Sequence, residues 1–280
     1  MSTTYSYTRN MYDPITDWPA WIIMPEDGDP FLAQSANIFE KALLDRNMYA
    51  FEAFAKLPSS NSTIKASSSD GLTINVNPVI VQAVLAGSYY LYTSQTTVSL
   101  SASNLEPAGS FAANTWYYVY LKALTANTFS FAIKTDAPDK YLLWKDNMGT
   151  SDTSYKYLLS FRTDNTSKIF PFVKVGTKMH YSIIRNALTN GTAAMVTDIS
   201  MLPFMPPHST QIYLKITYSN TGMALGGGYV HSPSGTFFVN VSPGGTFQTQ
   251  LDFTVDALQN LSYMVNTPAS MTIDILGYSD

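Results

Sequence analysis

Ile212-Tyr213-Leu214-Lys215-Ile216-Thr217-Tyr218 puts Ile, Leu, Ile and Tyr at every second position, with Tyr, Lys and Thr between them. That period of two is the mark of an antiparallel strand with one buried face. It recurs at Leu72, Ile74 and Val76, at Val98 and Leu100, and at Phe129, Phe131 and Ile133. Later it returns at Phe247, Leu251, Phe253 and Val255, and at Met271, Ile273 and Ile275. Fully apolar or aromatic runs at 79–85, 89–92 and 116–121 read as further strands, as do 141–144, 155–162 and 169–173. Turn chemistry separates them at Ala126-Asn127, at 147–152 and 164–167, at Gly226 to Gly228 and at Pro243 to Gly245. No repeat of 20–50 residues is evident, which argues against a propeller or a β-helix. The expected fold is mostly β, with two antiparallel β-sandwich or jelly-roll-like domains at 58–175 and 176–280.

Residues 1–57 read differently. Asp13-Pro14, Trp18-Pro19, Met24-Pro25 and Asp29-Pro30 bias the backbone away from helix and remove donors, so the first 30 residues are expected to form an extended arm. Its apolar side chains, Trp18, Trp21, Ile22 and Ile23 with Met24, need a surface from elsewhere: later parts of this chain or a neighbouring subunit. A helix is expected from about 35 to 56, opened by Asn37 with Glu40 three residues on, in the form of a capping box. Phe39, Leu43, Arg46 and Ala50 fall in one stripe, and Leu44, Met48, Phe51 and Ala55 in a second. Two stripes fit either a self-associating helix, trimeric with Arg46 in the seam, or an ordinary helix packed under its own sheet. The Ser-rich stretch 57–70 reads as a linker.

Composition narrows the partners. Only 13% of the 280 residues are charged, against roughly 25% in an ordinary soluble chain. Sixteen Lys and Arg stand among twenty Asp and Glu, so no basic surface for nucleic acid is expected. No stretch approaches the ~18 apolar residues that span a bilayer. With no cysteine, disulfides, thiolate metal sites and cysteine nucleophiles are excluded. After Lys215 the chain has neither Lys nor Arg. Because β-proteins commonly guard their edges with charge, so little of it predicts a tight oligomer whose surface is covered by other copies.

No catalytic signature emerges. His180, His208 and His231 are far apart and form no metal-ligand spacing. The carboxylate pairs Asp136 with Asp139, Asp146 with Asp152, and Asp252 with Asp256 lie at turns or strand ends, where Asp is favoured for local backbone bonds. Gly226-Gly227-Gly228 lacks phosphate-loop spacing and reads as a flexible turn. No cofactor, metal or enzymatic role is expected. Tyr89, Tyr90, Tyr92, Trp116, Tyr117, Tyr118 and Tyr120 place rings on alternate strand faces, suited to packing, subunit contact or sugar stacking.

Three groups of residues carry a resemblance. Met24-Pro25-Glu26-Asp27-Gly28-Asp29-Pro30, with Ala33 to Asn37 and the helix through Asp45-Arg46, resembles the anchoring start of tailed-bacteriophage virion proteins of the fibre or appendage type. Trp116 to Leu121, Ala137-Pro138, Tyr157 to Asp164, Ile169 and Pro171-Phe172 are similar to a β module of phage structural proteins. Met271 to Tyr278 looks like the terminal strand of such a module. The resemblance implies a virion location, and because Met1 to Asn10 is polar and lacks the charged start and apolar core of a secretion signal, synthesis in the host cytoplasm without a signal peptide is expected. It also implies a homo-oligomer, commonly a trimer, attached to capsid, portal, collar or tail proteins. A host surface glycan is the alternative partner, and a glycan depolymerase the less favoured alternative role.

Overall fold

A computed structural model describes residues 64–139, 141–145, 149–266 and 268–279. Among them are eighteen β-strands and one short 3-10 turn, Ala102–Asn104, and no α-helix. In chain order the strands are β1 (Lys65–Ser68), β2 (Ile74–Val76), β3 (Ile80–Leu85), β4 (Ser88–Thr93), β5 (Val98–Leu100), β6 (Trp116–Thr125), β7 (Thr128–Lys134), β8 (Leu143–Lys145) and β9 (Ser151–Arg162). They continue with β10 (Phe172–Val175), β11 (Lys178–Gly191), β12 (Thr197–Ser200), β13 (Gln211–Asn220), β14 (Gly226–Ser232), β15 (Gly235–Val241), β16 (Thr246–Thr254), β17 (Asn260–Val265) and β18 (Ala269–Ser279). The expected arm and helix lie outside the described residues. So do Trp18, Trp21, Ile22, Ile23, Phe39, Leu43, Arg46 and Ala50.

The strands pair antiparallel. One sheet of eight runs β16-β13-β18-β11-β10-β1-β2-β5. Sheets of four run β7-β6-β9-β8 and β12-β17-β14-β15, and β3 with β4 makes a hairpin. The boundary expected between 175 and 176 falls at the β10–β11 turn, where Gly176 takes a φ of 64°. The eight-stranded sheet continues across that turn, taking four strands from each side.

The alternation of β13 has its expected cause. Ile212, Leu214, Ile216 and Tyr218 are buried, as are Met271, Ile273 and Ile275 of the adjoining β18. They share one apolar cluster with Val230, Val239, Leu261, Tyr263 and Val265 of the β12-β17-β14-β15 sheet, so the two sheets face each other across a core. Full burial of an aliphatic side chain stabilises by roughly 1.5–3 kcal/mol, and this shared core supplies the main cohesion of the C-terminal half.

Gly226 to Gly228 are a correction. They are not a flexible turn but the buried start of β14. A Cβ on Gly228 would come 2.9 Å from the Tyr218 ring and 2.7 Å from the Met264 carbonyl oxygen. The glycines therefore clear room for Tyr218, whose hydroxyl donates to the Gly227 carbonyl at 2.5 Å. Asn220 closes the same corner. Its buried amide donates to the carbonyls of Ala224 at 2.8 Å and Val241 at 3.0 Å. β11, which the sequence reading did not assign, is interrupted where residues 181–184 break the register between the pairs His180↔Gly277 and Arg185↔Ile275. There the Ser182 amide bonds to the Pro171 carbonyl at 2.9 Å, and Ile183 and Ile184 stand exposed.

Candidate functional site

The densest group of charges lies on the β7-β6-β9-β8 sheet. Along β6, Tyr117, Val119 and Leu121 point into the main core, while Tyr118 and Tyr120 join Tyr155 and Tyr157 in a separate aromatic cluster on the opposite face. Lys122, next in that second row, lies opposite Tyr155. The backbone brings an acid to it: Ser101 caps the 3-10 turn, and the Glu106 amide bonds to the Ile133 carbonyl at 2.9 Å. Pinned there, Glu106 binds Lys122 at 2.9 Å and Lys134 at 3.2 Å, and accepts from the Tyr155 hydroxyl at 2.8 Å. The Lys134 ammonium lies 4.0 Å from the Trp144 ring centroid and 4.7 Å from that of Tyr155.

Electrostatics set what this cluster can do. Burial alone would raise the Glu106 carboxyl, but hydrogen bonds from Lys122, Tyr155 and Lys134 outweigh it and hold the group below its ordinary range. The Tyr155 hydroxyl and Glu106 carboxylate push Lys122 up, and burial pushes the Tyr155 phenol up. Each of these three groups is thereby driven further into its resting protonation state. The group ties the loop that precedes β6 to strands β6, β7 and β9.

Glu106→Gln is expected to cost about 1 kcal/mol near neutral pH, a value reduced for the partial exposure of the pair. Because the folded-state value is depressed, the wild-type advantage is fully present above the ordinary glutamate value of 4.5 and fades as pH falls below it. Urea unfolding of both chains across that window checks this; a constant difference at all pH values would contradict it.

Most of the other polar candidates are tied into local structure. Asp139 accepts from the Tyr141 and Leu143 amides at 2.8 and 2.9 Å, and from the Ser151 hydroxyl. Asp152 accepts from the Ser154 amide at 2.9 Å, and Asp256 from the Leu258 and Asn260 amides at 2.9 and 2.7 Å. Asp139 and Asp256 hold loops, while Asp152 lies at the start of β9. Asp136 accepts from the Trp144 indole at 3.3 Å, and Asp252 lies opposite Tyr213 in the β13–β16 ladder. Asp146 lies outside the described residues.

The histidines do not converge. His180 stacks on Tyr213 with centroids 5.7 Å apart, His208 packs against Tyr118 and Tyr157, and His231 bonds Thr236 through Nδ1 at 2.6 Å. No cluster of three metal-ligating side chains occurs among the described residues. The Glu106, Lys122, Lys134 and Trp144 grouping escaped sequence reading because its members come from four separate segments with no diagnostic spacing.

No protein-family model matches the chain, and no curated protein matches it. Among solved structures, a Bacillus thuringiensis Cry1Da tryptic core variant aligns at 10% identity and TM-score 0.22, over 78% of this chain and 51% of that one. An exo-beta-1,3-galactanase from Phanerochaete chrysosporium, solved with beta-1,3-galactotriose, aligns at 11% identity and TM-score 0.22, over 75% of this chain and 64% of that one. The chain thus spans about half the length of the first and under two thirds of the second. At that TM-score neither likeness carries fold or chemistry across.

Proposed function

We propose that the chain is a noncatalytic structural protein of a tailed-phage virion, anchored through its N-terminal 57 residues, assembled as a homotrimer and projecting a β body. The observation that carries this reading is strand order. From β11 to β18 the chain crosses between the β16-β13-β18-β11 half of the large sheet and β12-β17-β14-β15 at every connection except the β14–β15 hairpin. That connectivity supports a jelly roll, an architecture common to viral capsid and lectin domains. Exposed Val173, Val175, Ile183 and Ile184 on neighbouring strands favour cover by another copy. Asp139 and Asp256 bound to the amides of their own loops, and a charged cluster held in its resting state, favour a noncatalytic role. The jelly roll also supports a second reading, attachment of the virion to a host surface glycan.

Deleting residues 1–57 is expected to leave a folded, soluble oligomer that no longer joins particles. Sedimentation of the truncated chain, and imaging of labelled protein on particles, test the two halves of the prediction. Undiminished incorporation would overturn the anchoring role, and a full-length chain that sediments as a single copy would overturn the oligomer.

A further inference from the structure

The β12-β17-β14-β15 sheet turns one face to the core and the other away from it. Val230 and Ser232, Val239 and Val241, and Leu261, Tyr263 and Val265 are buried on its inner side. Alternation therefore turns Tyr229 and His231, Thr236, Phe238 and Asn240, and Ser262 and Met264 outward. Register sorts them into two rows. Phe238, Tyr229 and Met264 are paired across β15, β14 and β17. Beside them Thr236, His231, Ser262 and Asp198 are paired across all four strands.

We propose that this face binds a neutral oligosaccharide laid across the strands. Phe238 is 70% exposed on a rigid strand, and the Tyr229 ring meets it edge-on at 5.7 Å. Its chain neighbour Phe237 instead packs on the core and stacks with Phe247. An aromatic ring held open in this way suits the C–H face of a sugar.

The adjoining row supplies directional bonds. Nδ1 of His231 bonds Thr236, and the Ser262 hydroxyl donates to Oδ1 of Asp198 at 2.5 Å. Nε2 of His231, Oδ2 of Asp198, the Asn240 amide and the Tyr229 hydroxyl have no partner among the described residues. These groups donate and accept in combination, as sugar hydroxyls do. At a strand spacing of about 4.8 Å, four strands extend the row over about 14 Å, which suits an oligomer better than a single sugar.

Charge selects among glycans. Asp198 is the one carboxylate in the two rows, neither row carries Lys or Arg, and residues 216–280 contain none. A sulfated, sialylated or uronate chain would find no Lys or Arg there, and nucleic acid is disfavoured for the same reason.

This inference deepens the attachment reading, and rests on it for its biological setting. The full-length chain is applied to an array of neutral hexose and N-acetylhexosamine oligomers beside sialylated, sulfated and uronate ones. The strongest neutral oligomer is then titrated calorimetrically. Neutral oligomers are expected to bind. Phe238→Ala should weaken binding about tenfold or more, the scale of losing an aromatic anchor. Phe238→Trp should preserve it, His231→Ala should weaken it severalfold, and Leu91→Ala, elsewhere on the surface, should leave it unchanged.

Melting temperatures of the variants separate lost binding from lost fold. A blank array, binding restricted to anionic glycans, or neutral binding indifferent to both Phe238→Ala and His231→Ala would overturn the site. So would a Phe238→Ala chain that changes its sedimentation, because the face would then join copies of the chain. A blank array with normal loss of particle incorporation on deleting 1–57 removes the sugar site and leaves the virion reading standing. Glycan binding with no particle association does the reverse.

Discussion

Gly277→Ala is expected to leave a chain that is insoluble or melts far below its parent. Gly277 lies in β18 between two partners, opposite His180 on β11 and Tyr213 on β13. A Cβ there would stand 1.9 Å from the Met179 carbonyl oxygen and 3.1 Å from the His180 Cα. Both obstacles are backbone, so no rotamer change relieves them. β18 cannot back away from β11 without spoiling its pairing with β13. Overpacking of this kind costs about 3 kcal/mol or more, a large part of the 5–15 kcal/mol that holds an ordinary domain together. Gly109→Ala, with nothing within 4 Å of the added carbon, serves as control and should be nearly neutral. Thermal melting of the two variants decides; a Gly277→Ala chain that melts like its parent would show that β11 yields where the ladder indicates it cannot.

Lys156→Met should act in the opposite direction. Lys156 is 1% exposed, and its ammonium donates to the Tyr141 carbonyl at 3.2 Å. Burial pulls it down to about 8 from an ordinary 10.5, with the Asp139 charge resisting. Since the folded chain releases this proton at lower pH, the unfolded chain binds more protons between pH 8 and 10.5, and stability rises with pH across that window. Methionine fills a similar volume without the charge. After loss of the bond to Tyr141, a gain of about 2 kcal/mol near neutral pH is expected, shrinking as the wild-type amine deprotonates. Urea unfolding of both chains at about pH 7 and about pH 10 measures the difference of differences. A variant less stable than its parent by the same amount at both pH values would show that the hydrogen bond outweighs the buried charge.

Much of the β architecture could be read from residues that alternate without interruption. β13 was legible because all four inward side chains are large and apolar. β17 offered Leu261, Tyr263 and Val265 at the same spacing, but Met264 fills a position where the alternation calls for a polar residue and blurs the pattern. β14 was misread because glycine ordinarily marks a turn; here the missing side chains make room for Tyr218, which lies nine positions earlier. The register break after His180 disguised β11. For the proposed sugar face the difficulty was of another kind. Phe237 and Phe238 are adjacent and chemically alike, and only strand register determines which one faces solvent. The ionic lock joins Glu106 to Lys122 and Lys134 through tertiary placement, which no local pattern records.

The central place of β18 also bears on how the molecule is made. On the ribosome it emerges after every other described strand, yet it must enter between β11 and β13. Until then those two present bare hydrogen-bonding edges to whatever is nearby, including the same strands of other nascent chains. Completion of the sheet is therefore a late event that competes with premature association, and crowded synthesis of many copies is the condition under which that competition is most severe.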